Sequence, residues 1–248
     1  MKKYALFYHI WCPEEGNAWQ LLIDEQIKKI ISCKLKYNAD IYCCISGKKH
    51  KEVEEFIKIY DFIKILESTE DESEYEALTL KHLYDKCVEN EKKSDTDKFD
   101  AVCYIHTKGI RHFCIKSNPN TLRSINSWRH FLEYGVLDRW KDCVSALYKH
   151  DVAGVNFHLA PLPHFQGNFW WATSEYIASL EHPTSRFFGE ECFDDPEWIP
   201  RLSCEMWIGS KLPKWFTLYG YPFQIDEKSM SYDLYNHDIF PFYLNNSM

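Results

Sequence analysis

The first 109 residues alternate four apolar strand-like runs with three segments of helical period, and no other feature constrains the fold as strongly. The strand-like runs are Lys3 to Trp11, Asp40 to Ser46 (closed by Gly47), Phe62 to Leu66 and Phe99 to His106. Between them Trp19, Leu22, Ile23, Ile27, Ile30 and Ile31 recur at helical spacing. His50 to Tyr60 reads as a second helix, and Glu74 to Cys87 repeats the period through Tyr75, Leu78, Leu83 and Val88. The charged run Glu89 to Lys98 reads as an exposed loop or a fraying helix end. A β-α-β-α-β-α-β order implies right-handed crossovers and a mostly parallel α/β sheet flanked by helices. Ligands bind such sheets beyond the carboxyl ends of the strands. Those ends carry His9 and Trp11, Ser46 and Gly47, Glu67 and Ser68, and His106-Thr107-Lys108-Gly109.

The second half has a different texture. Asn118-Pro119-Asn120 reads as a turn, followed by helices near Ser124–Tyr134 and Leu137–Lys149. Val152 to His158 reads as a strand, and Ala160-Pro161-Leu162-Pro163 breaks regular structure. Gly167 to Leu180 reads as strand into helix, Pro183 to Pro200 as an acidic loop, and Ser203 to Gly209 as a short helix. We expect one domain over 1–248, with subregions 1–109, 110–214 and 215–248, the last an aromatic arm. At 248 residues and 45% apolar the chain can bury a sizeable core unaided. A net charge of −8 argues against broad nucleic-acid binding. No apolar run is long enough to span a bilayer, and the start does not read as a signal peptide. Ten cysteines without a Cys-x-x-Cys pair suggest buried thiols of a reduced, cytoplasmic protein.

Chemistry-bearing strings are few. Neither G-x-G-x-x-G nor G-x-x-x-x-G-K-[ST] occurs, which counts against dinucleotide-binding and P-loop enzymes. Asp95-Thr96-Asp97 is an Asp-x-Asp, but its charged surroundings favour a solvated loop. In Tyr104-Ile105-His106-Thr107-Lys108-Gly109, Lys108 suits a phosphate and Gly109 admits close backbone approach. His106 could donate to a phosphate or ligate a metal, and the bland alternative is a polar strand end. Arg129 could clamp a diphosphate or sit on the surface against Trp128. Gln166-Gly167-Asn168-Phe169-Trp170-Trp171-Ala172 is either a core strand or a sugar platform, with Phe169 and Trp171 on one face and Trp170 on the other. Glu205, among Cys204, Met206 and Trp207, is a carboxylate in an apolar context, suited to general-base work or to a helix start. A metal-hydrolase reading on His106, His112, His158 and His164 finds no spacing known for metal ligands.

Taken in order, Tyr-Ile-His-Thr-Lys-Gly, Trp128-Arg129, Gly154-Val155-Asn156, Gly167 to Ala172 and Glu205 to Gly209 resemble compact GT-A-type glycosyltransferases. Such enzymes occur in bacterial surface-polysaccharide clusters and in large DNA viruses, and the chlorovirus rhamnosyltransferase domain is expected to share the fold. The resemblance spans about Tyr4 to Gly209. It implies a GT-A-like fold and transfer of a sugar from a nucleotide-diphosphate donor, a UDP-sugar as first choice, to a hydroxyl of a glycan acceptor. It implies donor contacts from His9, Trp11, Glu67, His106, Thr107, Lys108, Gly109 and Arg129. Acceptor contacts would come from Gly167, Asn168, Phe169, Trp170, Trp171 and Trp207, with Glu205 as the general base of an inverting reaction. Asp194 and Asp195 are alternative bases. Where the family carries Asp-x-Asp for Mn²⁺ or Mg²⁺, this chain has Ile105-His106-Thr107. Either His106 joins a reduced metal site, or Lys108 with Arg129 neutralises the diphosphate without metal. The rival to an enzyme is a catalytically inactive sugar- or nucleotide-binding module of the same fold.

Overall fold

The computed structural model describes residues 3–114 and 117–218. Four parallel strands form first: β1 (Tyr4–Trp11), β2 (Ala39–Ser46), β3 (Ile63–Thr69) and β4 (Ala101–His106). Their crossovers are α1 (Ala18–Ser32) with the short α2 (Leu35–Asn38), then α3 (His50–Ile57) and α4 (Ala77–Glu91). After β4 come α5 (Ile110–Cys114), α6 (Pro119–Glu133), a π-helical turn at Tyr134–Asp138 and α7 (Trp140–Ala146). The remaining elements are β5 (Val152–Gly154), β6 (Phe157–His158), β7 (His164–Phe165), β8 (Trp170–Thr173), α8 (Ser174–Ser179), α9 (Ile199–Met206) and β9 (Trp215–Thr217).

The main sheet has the order β3-β2-β1-β4-β8-β5-β9. Only β8 opposes its neighbours, so the sheet is mostly parallel, the α/β class expected. It draws strands from both halves of the chain, since β4 pairs with β8. Alternation along β1 explains the two layers. Leu6, Tyr8 and Ile10 face one core, packed by Ile23 and Ile27 of α1 and Phe131 of α6. Ala5 and Phe7 face the other, packed by Leu80 and Leu83 of α4, Ile177 of α8 and Met206 of α9. Trp171 enters the first core and Trp170 the second, as the period of two requires. Both indoles are fully buried, each removing a large apolar area from water.

Three local readings need correction. Asn118-Pro119-Asn120 is the start of α6, with Asn118 accepting from the Thr121 amide at 2.9 Å and Pro119 in the first turn. Proline lacks only a donor that has no partner there, so a turn-like string also opens a helix. The strand expected over Val152–His158 breaks at Asn156, whose φ is 59°, and β6 leaves to pair with β7. The helix expected to end at Cys87 continues to Glu91 because Asn90 turns inward, bonding the Phe99 amide and carbonyl at 3.0 and 2.9 Å. The nine described cysteine side chains are free thiols, most of them buried. Of the aromatic arm, only Trp215 to Leu218 lies within the described residues.

Candidate functional site

The site begins with a register. His9 of β1 lies beside His106 of β4, so both rings leave the same sheet face, the one that carries Phe7 and Tyr104. His9 Nδ1 meets Thr79 Oγ1 of α4 at 2.9 Å. His106 Nε2 donates to the Gly167 carbonyl at 3.0 Å; a carbonyl only accepts, so Nε2 carries the hydrogen. His106 Nδ1 then faces Glu76 Oε1 at 3.4 Å. Glu76 stands at the N-terminal boundary of α4, 7% exposed. Its Oε2 accepts from Tyr104 Oη at 3.0 Å and from Asn168 Nδ2 at 2.6 Å. Asn168 Oδ1 in turn accepts from Trp170 Nε1 at 2.7 Å. The tight turn into β8 puts Gly167 at φ 90° and Asn168 at φ 57°, a region that glycine and asparagine tolerate best.

Of these groups, His9, Glu76 and His106 line a cavity of about 640 Å³ beyond the carboxyl ends of β1 and β4. His9, Trp11, Glu76, His106, Thr107 and Lys108 line it together with Trp128, Trp198 and Arg201. Lys108 is buried, with Nζ 3.9 Å from the centre of the Trp128 ring. Thr107 ties the two strand ends together, its Oγ1 accepting from the Trp11 amide at 3.0 Å. At Gly109, φ is 84° and a Cβ would lie 2.2 Å from Ile125 Cγ2, so a side chain there would displace α6. An open acidic depression lined by Glu14, Lys48, Glu70 and Asp71 adjoins the cavity at Glu72.

The electrostatics separate two carboxylates. Glu205 lies one turn beyond Arg201 on α9. Burial alone would raise its pKa, but Lys108, Arg201 and His164 together outweigh burial and hold it below the usual carboxylate value. Glu76 is pushed the other way, by burial first and then by the Glu205 charge. Burial lowers His9 to about 4, and burial with Lys108 lowers His106 to about 3. Both imidazoles are therefore neutral in the folded protein at pH 7.

An acid-lability follows. The two histidines have folded pKa values below the ordinary 6.5, so their stabilising contribution is complete above pH 6.5. It is lost as pH falls from there through about 4 and 3, because the unfolded chain binds those protons first. The Glu76 shift has the opposite sign and offsets part of this loss. We expect a loss on the order of several kcal/mol between pH 7 and pH 4, read by denaturant unfolding at each pH. A His9→Gln, His106→Gln double variant that kept the full acid-lability would refute this assignment.

Other sequence-selected residues fall elsewhere. Glu67 does not line the cavity; its carboxylate meets His82 Nε2 at 2.7 Å and Lys81 Nζ at 3.4 Å across α4. Arg129 is buried between helices, pairing with Glu133 at 3.0 Å and Glu25 at 3.1 Å, and is not a diphosphate clamp. Phe169, Trp170, Trp171 and Trp207 have no exposed surface, and Asn168 none either, so they present no sugar platform. Gly167 is likewise buried, and a Cβ there would lie 2.7 Å from Leu132. The core reading of that string is the one the packing supports. Asp194 and Asp195 are exposed on a loop, and Asp95 and Asp97 in a solvated turn.

At His106, Nε2 is taken by the Gly167 carbonyl, Glu76 Oε2 already accepts two hydrogen bonds, and the positive charge of Lys108 beside the ring opposes a divalent cation. Among the described residues, three ligating groups converge at Glu25, His130 and Glu133, where the Arg129 guanidinium already lies. Sequence reasoning missed several residues of the cavity, among them Glu72, Glu76, Arg111, Trp198 and Arg201. The spacing of Arg201 and Glu205 at i and i+4 was a usable signal on a helix. Glu76 had none, being one of several acidic residues between Glu70 and Glu76.

No described helix is long and apolar enough to cross a membrane. Comparison with curated proteins gives no match. Among solved structures, a Desulfovibrio desulfuricans G20 protein described as a "putative nucleotide-diphospho-sugar transferase" is similar at a TM-score of 0.47 and 10% identity, over 89% of this chain and 81% of that one. A family model matches residues 7–212, and the chain belongs to that family, the Domain of unknown function (DUF8361).

Proposed function

We propose that this protein moves a sugar from a nucleoside-diphosphate donor, UDP-linked as first choice, to a hydroxyl of a glycan acceptor in polysaccharide assembly. One observation carries the reading. A single cavity beyond the ends of parallel strands combines the buried cation Lys108 and Arg201 with the carboxylate Glu76, and Glu205 lies in their field. Glycosyl transfer needs these two kinds of group. The departing diphosphate gains negative charge, which a fixed cation in a partly dry site stabilises. The acceptor hydroxyl must lose a proton, which a nearby carboxylate takes. The sequence gives the base role to Glu205, and the cavity supplies a second carboxylate in Glu76. Lys108 and Arg201 here carry the charge role, replacing the Lys108–Arg129 pair and a metal at His106. The displacement is read as inverting: the acceptor oxygen bonds to the anomeric carbon as the bond to phosphate breaks.

Calorimetric titration with UDP, GDP and dTDP, each with and without Mn²⁺, tests the reading. One nucleotide should bind, equally well without Mn²⁺. Folded protein that binds none of them, and releases no nucleoside diphosphate from the matching sugar donors, would overturn it. Binding with no turnover across a broad acceptor panel would instead assign an inactive binding module.

A further inference from the structure

We propose that Glu76 is the carboxylate that takes the proton from the acceptor hydroxyl, with His106 holding that proton's hydrogen bond; this rests on the glycosyl-transfer reading above. Glu76 lines the cavity, whereas Glu205 is not among its lining residues. The two oxygens of Glu76 are unequal. Oε2 is saturated by Tyr104 Oη and Asn168 Nδ2. Oε1 has neither of these partners and lies 3.4 Å from His106 Nδ1. Because the hydrogen of His106 sits on Nε2, bonded to the Gly167 carbonyl, Nδ1 presents a lone pair. A lone pair opposite an ionised carboxylate is unfavourable. One proton on Oε1, with the two groups drawn in from 3.4 Å, would convert that opposition into an O–H to N hydrogen bond. The geometry therefore has a seat for one proton.

The groups facing Glu76 agree with this. His9 approaches from β1, Tyr104 and His106 from β4, Lys108 from the loop after it, Asn168 from the turn before β8, and Glu205 from α9. The negative charge of Glu205, held ionised by Lys108 and Arg201, favours the protonated form of its neighbour. Two carboxylates with opposed environments divide the work, one fixed in charge and one exchanging a proton. In the step, the acceptor oxygen forms its bond to the anomeric carbon. The bond from that carbon to phosphate oxygen breaks, and its electron pair leaves with the nucleoside diphosphate. The acceptor proton moves to Glu76 Oε1 and is hydrogen-bonded to His106 Nδ1. The Gly167-Asn168-Phe169-Trp170 string thereby acquires a role: its carbonyl fixes the His106 tautomer, and its asparagine fixes the Glu76 rotamer.

Glu76→Gln is the decisive variant. Its amide oxygen can accept from Tyr104 and Asn168, and its NH₂ can donate to Nδ1, the same pattern as protonated Glu76. It should fold, bind the nucleoside diphosphate found for the wild type unchanged, and lose about 100- to 10,000-fold in turnover. Glu76→Asp, which withdraws the carboxylate by one methylene, should fall between. Wild-type turnover in Glu76→Gln, with the loss appearing only in Glu205→Gln, would overturn the assignment and leave the transfer reading intact. A wild type that binds no nucleoside diphosphate would overturn both. Carbon-13 NMR of the glutamate carboxyls in the free, full-length protein adds a readout independent of any donor. Glu76 should titrate above the ordinary carboxylate range and move down in Glu205→Gln. An ordinary titration would overturn the proton-accepting role.

Discussion

Lys108→Met should weaken nucleoside-diphosphate binding about 10- to 150-fold, the equivalent of one charge-assisted hydrogen bond at roughly 1.5–3 kcal/mol. Methionine keeps an unbranched stem of similar length, so contact with the Trp128 ring is retained and charge alone is removed. The location makes the charge valuable. Lys108 is 5% exposed, so its field is screened less than that of a surface lysine. A second signature follows from the same change. Lys108 lowers the pKa of both His106 and Glu205, so both should rise in the variant. Calorimetry with the nucleotide that binds wild type, and a histidine NMR titration, check the two arms. Unchanged affinity would move the phosphate contact to Arg201 or Arg111, which also line the cavity.

Asn168→Ala should destabilise the fold by about 3–5 kcal/mol, the sum of two buried hydrogen bonds and a backbone term. Trp170 Nε1 would lose its acceptor and Glu76 Oε2 one of its donors, all in fully or nearly fully buried surroundings. Alanine would also have to hold a φ of 57°. Asn168→Gly separates the parts, because glycine relieves the backbone but restores neither hydrogen bond. We expect the glycine variant to recover about 1–2 kcal/mol of the alanine loss in denaturant unfolding. An alanine variant within about 1 kcal/mol of wild type would show that the network adds little stability.

The comparison of sequence with structure is clearest at single residues. The place of His9, Trp11, His106, Thr107 and Lys108 at the cavity was legible because hydrophobic period locates strands, and parallel order locates the edge where cavities form. The opposite faces of Trp170 and Trp171 followed from the period of two. Glu67 failed because a strand-end position says nothing of which helix covers it, and α4 brings His82 and Lys81. Arg129 failed because a helical arginine shows its charge in sequence but not its partners. Glu133 is one turn away, whereas Glu25 lies on α1, 104 residues earlier.

What the sequence determined by itself was the α/β alternation, the sheet edge that lines the cavity and the cation at its end. These are local properties of period and composition. The tertiary structure alone decided that Glu76, one acid among several in its run, lines the cavity and meets His106 and the buried Asn168. That contact joins residues 92 positions apart through the packing of α4 against the turn into β8. No local pattern encodes such a meeting, because the energy that selects it resides in burial and hydrogen bonding that exist only once the layers have closed.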